Sequence, residues 1–135
     1  MEHLFHVANT VIEGTFGSMH TFFAAQTMYK TTGGSFKVSK EQILLGRFTG
    51  LLMIAVAIIS YAARKDTESI AGKAVMKGLA FYHSCASLVN AIQGCGINGD
   101  HKNALRDYFH AVMHFCLAMG FLRKLLKPSD PQIEQ

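Results

Sequence analysis

Histidine, glutamate, arginine and asparagine recur in this chain at steps of three and four residues. Such steps join Asn9, Glu13, Gly17, His20, Ala24 and Thr27 in one segment, and Met76, Ala80, His83, Ser87, Asn90 and Gly94 in another. They also join Arg106, His110, His114, Leu117 and Phe121, and finally Arg47, Gly50, Ile54, Ala57 and Tyr61. Residues so spaced lie on one face of an α-helix. Each segment therefore carries one polar or small stripe beside faces of Leu, Ile, Val, Phe and Met. An imidazole can give or take a proton near neutral pH, and a carboxyl group beside it extends that range of acid/base work. The expected catalytic set is Glu13, His20, His83 and His114, acting as acid or base on a lipophilic small molecule. Arg47, Asn90, His110 and Tyr61 are the expected ligand-binding groups, with Arg47 reading an anionic or carbonyl function.

Two other chemistries fit the same stripe. Histidines from different helices can ligate haem or a metal, and His110 and His114 share a face at i,i+4 as ligands can. The stripe can also recognise a ligand or lipid without catalysis. No resident cofactor or metal is expected from motifs, because the chain lacks a P-loop, a dinucleotide fingerprint, a nucleophile elbow and a His-Glu-x-x-His pair. Whether the protein is an enzyme at all is left open.

Four long segments must position these residues. The clearest runs from Ile43 to Ala63, where Arg47 is the one charge, and Arg64-Lys65-Asp66 follows as a polar stop. At 1.5 Å per residue it makes about 31 Å of helix, close to the roughly 30 Å hydrocarbon thickness of a bilayer. The others are about 4–28, 74–93 and 104–126, separated by stretches rich in Gly, Ser, Thr and charge that read as loops. Ser39, with Gln42 three residues on, supplies an N-cap for the second helix. The fold expected is all-α: a four-helix, up-down-up-down transmembrane bundle over 1–127, with a polar, mobile tail at 128–135.

Depth along each segment sharpens the site. His83 and His114 lie near their segment midpoints, with His20 about three residues to one side. Three histidines are thus expected to meet at mid-depth. Arg47 and His110, with Asn90, form a second polar layer above them, while Glu13 and Tyr61 lie below. A charge facing lipid costs several kcal/mol, so in a membrane the stripe must face inward.

Gly46-Arg47-Phe48-Thr49-Gly50 opens the long apolar helix after a polar loop. There the chain resembles the small four-span DoxX-like membrane proteins and, more distantly, the ergosterol-biosynthesis scaffold family. The resemblance covers helix count, chain length, loop rhythm and the Arg near the head of the second helix. It implies a membrane protein acting as a redox-associated or sterol-enzyme accessory. The Gly46–Gly50 pair suits close helix approach, inside the bundle rather than between copies.

Composition agrees with these elements. The chain has 135 residues, 50% hydrophobic and 16% charged, too apolar for disorder and long enough for one domain. Thirteen Lys and Arg against nine Asp and Glu leave a spread-out net charge of +4, which argues against nucleic acid as a partner. The three cysteines show no paired motif, and Cys85 and Cys116 are expected as small buried residues within helices. No basic leader precedes the first apolar stretch, so its helix is expected in the mature protein. Counting Arg64, Lys65, Lys73, Lys77, Arg123, Lys124 and Lys127 on one side against Lys30, Lys37, Lys40, Arg47, Lys102 and Arg106 on the other tilts the termini towards the cytoplasm. Mean hydropathy, at +0.20, lies between ordinary soluble and multi-span values.

The function these residues point to is that of a multi-pass integral membrane protein, binding a lipophilic small molecule and able to perform isomerase- or cyclase-type acid/base chemistry. The alternatives are a non-catalytic accessory subunit of a membrane enzyme complex, a haem- or metal-binding bundle, and a soluble bundle that oligomerises through Ile43–Ala63. The partners expected are a lipophilic molecule or lipid and the membrane, with a homo-oligomer or larger complex left open.

Overall fold

The computed structural model describes residues 3–31, 38–95 and 104–127, and the expected tail at 128–135 lies outside them. The all-α class is observed, with five helices and no strand among the described residues. They are α1 (Leu4–Phe22), α2 (Ala24–Thr31), α3 (Lys40–Ala63), α4 (Ile70–Gly94) and α5 (Ala104–Leu126).

The single first helix expected over 4–28 is two helices. Phe23 leaves the helical region, with φ −116° and ψ 34°. Its N–H still donates to Met19 O at 2.9 Å, and the Thr27 hydroxyl donates to the same carbonyl at 3.2 Å. A side chain reaching into the backbone ladder is a standard cause of such a kink.

Caps account for the other boundaries. Ser39 Oγ accepts from the Gln42 N–H at 3.2 Å, and the Ser39 N–H donates to Gln42 Oε1 at 2.8 Å. This reciprocal box starts α3 at Lys40, three residues before the apolar run. Ser69 caps α4 through the Gly72 N–H at 3.0 Å and is itself held by Asp66, so α4 begins at Ile70 rather than near residue 74.

The helices associate as two close pairs, α1 with α3 and α4 with α5. Small residues set the first pairing. A Cβ added at Gly50 would lie 2.6 Å from Gly17 O, and one added at Gly17 would lie 2.8 Å from Gly50 O, so the two backbones nearly touch. Gly46 faces Met28 and Ala24 of α2. The Gly46–Gly50 pair thus works within the chain, as expected. The Thr10 hydroxyl bonds both His6 O (2.8 Å) and, across to α3, Ala57 O (3.3 Å). In the second pair, the Ser87 hydroxyl donates to Ala111 O at 2.8 Å.

Between the pairs lies a small apolar cluster of Met76, Leu79, Ala80, Leu117 and Phe121, closed by Phe5, Ala8 and Ile12 of α1 and Val56 of α3. Beside it the interior is polar. His6, Asn9, Glu13, Ser60 and His83 are all fully buried. Other polar side chains bond back to their own helix four residues earlier: Ser18 to Gly14 O, Thr49 to Leu45 O, Ser84 to Ala80 O and Asn90 to Ala86 O. Cys85 and Cys116, expected inside, are exposed, because they sit on the outward faces of α4 and α5 while His83 and His114 turn inward.

Candidate functional site

The structure gathers Glu13, His83 and His114, each from a different helix, into one buried centre. His83 Nδ1 lies 2.8 Å from His114 Nδ1, and these atoms lie 3.9 and 4.0 Å from Glu13 Oε1. Each of the three residues sits within about one residue of the midpoint of its helix, as α1 spans Leu4–Phe22, α4 Ile70–Gly94 and α5 Ala104–Leu126. The sequence reading put Glu13 below this level and His20 within it. The kink at Phe23 explains the difference, because ending α1 at Phe22 moves its midpoint back to residue 13.

Neighbouring side chains hold the centre in place. His83 Nε2–H donates to Asn9 Oδ1 at 2.6 Å, and the Tyr82 hydroxyl donates to Glu13 Oε2 at 3.1 Å. The His83 ring stacks with His114 (centroids 5.1 Å apart) and with Phe121 (6.0 Å), and the Tyr82 ring meets it edge-on at 4.9 Å. Glu13 Oε1 has no hydrogen-bond partner among the described residues. The basic side chains found within 4.0 Å of Glu13 Oε1 there are the two histidines.

The spacing reading included Asn9 in the α1 stripe without giving it a role, and it missed Tyr82 and His6. His6 continues the α1 stripe one step back, three residues before Asn9. Its Nδ1 lies 3.1 Å from Ser60 Oγ, whose hydroxyl donates to His6 O at 3.3 Å. Ser60 in turn continues the α3 face from Ala57 by three. Tyr82 sits off the stripe, and no spacing signal marks it.

A second polar region lies one to two helical turns away, with His110 four residues from His114 and His20 seven from Glu13. A cavity of about 630 Å³ is bounded by Phe16, Met19, His20 and Phe23 of the α1 end, by Gln26, Thr27 and Lys30 of α2, by Asn90 and Gln93 of α4, and by Arg106, Asp107 and His110 of α5. His20 and His110 therefore face this cavity rather than the Glu13 centre. His20 lies seven residues, about 10.5 Å, along α1 from Glu13. His20 Nδ1 has no hydrogen-bond partner among the described residues, and the His110 ring meets Phe16 edge-on at 5.6 Å. Arg106 is paired with Asp107 at 2.8 Å.

Arg47 and Tyr61 join neither region. The face of α3 that turns inward is Gly46, Gly50, Ala57 and Ser60; it shares Gly50 and Ala57 with the expected stripe, but Gly46 and Ser60 take the places of Arg47 and Tyr61, so Arg47 is exposed. Close approach to α1 and α2 requires glycine there, and that requirement outranks the polarity of Arg47. Tyr61 is 51% exposed and lies under the Arg64 guanidinium, 3.4 Å from its ring centroid.

The i,i+4 pair His110 and His114 splits between the two regions, so neither ligates beside the other. With ring nitrogens 2.8 Å apart, His83 and His114 leave no room for a porphyrin between them. Comparisons of the chain with protein families, curated proteins and solved structures found no match. The DoxX-like resemblance accordingly gains no support from them.

Proposed function

We propose that the chain is a multi-pass integral membrane protein that holds a lipophilic small molecule between its helices, with Glu13, His83 and His114 as its acid/base centre. One observation carries the membrane reading: polarity is inverted. Of the seven largest fully buried side chains, His6, His83, Glu13, Asn9 and Ser60 are polar, whereas Leu52, Phe81 and Phe109 are 65–73% exposed. In water this arrangement leaves large apolar patches uncovered. In lipid it is the favourable one, because ionisable groups face the bundle interior and apolar groups face hydrocarbon.

Helix lengths agree. Lys40–Ala63 and Ala104–Leu126 are long and apolar enough to cross a bilayer, and just 22% and 33% of their apolar windows are buried, whereas a soluble core helix is mostly covered. α1 and α4 carry more of the internal polar groups and complete four spans in this reading, with α2 as a continuation of α1 beyond its kink.

The cavity supplies the binding part of the proposal. Phe16, Met19 and Phe23 give it apolar walls, and His20, Asn90 and His110 offer polar atoms to orient one end of a ligand. His114 lies one turn along α5 from His110, so on that helix about one turn separates the Glu13 centre from the cavity.

Carbonate or high-salt washing of membranes tests the first part, with retention expected and release refuting it. Native mass spectrometry of detergent-extracted protein tests the second. A bound lipophilic molecule is expected in the parent and is lost from His110→Ala. A parent spectrum free of any such molecule refutes the binding proposal.

A further inference from the structure

The Glu13 centre has the geometry and supporting hydrogen bonds of a metal site. Separations of 2.8, 3.9 and 4.0 Å define a triangle whose equidistant point lies about 2.1 Å from all three atoms, matching the ~2.0–2.2 Å of zinc–imidazole and zinc–carboxylate bonds. Tetrahedral angles about an ion there need the two nitrogens to open from 2.8 Å to about 3.4 Å and Glu13 Oε1 to close on them from 3.9 and 4.0 Å to about the same separation.

The donors are also set up as ligands. A carbonyl oxygen can only accept, so the 2.6 Å contact with Asn9 Oδ1 puts the His83 proton on Nε2 and turns the Nδ1 lone pair towards the centre. A ligating histidine is typically held by such a bond from its other nitrogen. Tyr82 engages one carboxylate oxygen of Glu13 and leaves Oε1, fully buried and unpartnered, aimed at both imidazoles. A carboxyl group buried away from Lys and Arg must either hold its proton or gain a positive partner. A divalent ion supplies that partner and occupies the open lone pairs together.

We propose that Glu13 Oε1, His83 Nδ1 and His114 Nδ1 bind one divalent first-row transition-metal ion, of which Zn²⁺ is the representative. Two imidazoles and one carboxylate suit such ions rather than Mg²⁺ or Ca²⁺, which favour all-oxygen shells. Three protein ligands leave a coordination position open, as in catalytic rather than structural zinc sites. On binding, His114 carries its proton on Nε2, so that Nδ1 offers its lone pair to the ion instead of a proton to His83. The inference rests on the proposed function only in taking the same three side chains as the chemical centre. It holds whether or not the cavity carries an organic ligand.

The test uses the full chain in detergent, stripped with chelator and titrated with Co²⁺ and then Zn²⁺. One equivalent of Co²⁺ per chain is expected, with visible absorption typical of nitrogen and oxygen ligands and no sulfur charge-transfer band, and Zn²⁺ should displace it. The Cys85→Ser/Cys116→Ser variant should take up the same amount. Glu13→Gln and His83→Ala should lose stoichiometric binding. Because these variants remove buried groups, Asn9→Ala provides a positioning test: about 10- to 100-fold weaker binding with the cobalt spectrum retained.

Failure of the folded parent protein to bind Co²⁺ or Zn²⁺ above background overturns the proposal, as does binding abolished by the cysteine substitutions. The native mass spectrum separates the two ideas. Metal without an organic ligand supports this site and refutes the cavity reading, and an organic ligand on a protein that refuses metal does the reverse.

Discussion

Replacing Gly50 by alanine tests the close crossing of α1 and α3. The added Cβ would lie 2.6 Å from Gly17 O and 2.6 Å from Thr21 N, and it would also meet the Thr21 hydroxyl. Ordinary contact for such an atom begins near 3.4 Å, so α1 and α3 must separate by about 0.8 Å, and both obstacles are backbone atoms that no rotamer change can move. Overpacking of this kind costs about 1–3 kcal/mol. Against it stands the better helix propensity of alanine, up to about 1 kcal/mol. Gly78→Ala isolates that gain, since a Cβ there meets nothing within 4 Å. The two variants should therefore differ by about 1–3 kcal/mol, or roughly five- to 150-fold in the folding equilibrium. SDS titration of the detergent-solubilised protein, followed by far-UV circular dichroism, measures the difference. Gly17→Ala strikes the same crossing, so the double variant Gly17→Ala/Gly50→Ala should cost less than the sum of its parts. If Gly50→Ala proves as stable as Gly78→Ala, α1 and α3 do not cross at this distance and the explanation for the exposure of Arg47 falls with it.

Three other outcomes follow from the same contacts. Ser60→Ala strips His6 Nδ1 of its partner and should cost about 1–3 kcal/mol in the same unfolding assay, with a smaller combined penalty when His6→Leu is added. Ser39→Ala should remove about 0.5–2 kcal/mol by opening the α3 capping box, and Ser39→Asp should restore most of it. If the proposed membrane reading holds, Cys85 and Cys116 face lipid, and in sealed vesicles of a Cys95→Ser variant they should resist a membrane-impermeant maleimide, whereas rapid reaction with it would refute that placement.

Periodicity made Glu13, His83 and His114 visible in the sequence, because a stripe at steps of three and four survives any rigid rotation of its helix. It could not fix their level. Depth was counted from the midpoint of a segment running to residue 28, and the kink at Phe23 depends on a Thr27 hydroxyl finding the Met19 carbonyl, which no pattern of apolar residues announces. The facing of α3 was hidden for a different reason. Arg47 and Gly46 are 100° apart on the helix, and choosing between a polar face and a glycine face requires knowing that Gly17 and Thr21 wait opposite. The α3 cap, by contrast, was readable from Ser39 and Gln42 because its donors and acceptors are local. Tyr82 illustrates the remaining limit: its hydroxyl reaches Glu13 across 69 residues of sequence from a position outside every stripe.

Ser18, Thr49, Ser84 and Asn90 quiet their polar groups on carbonyls of their own helices, so on the proposed membrane reading these groups would not be stranded if each segment entered lipid alone. Asn9, Glu13, His83 and His114 have no such local outlet. In a bilayer, a helix that carries one of them would remain incomplete until the matching helix arrives. On the proposed membrane reading, the unmet groups would serve as an address label for assembly: α1 would pair with α4 and α5 rather than with any other apolar rod, because a pairing that leaves Glu13 against hydrocarbon is penalised. The polar interior decides which helices belong together, and the glycines decide how near they come.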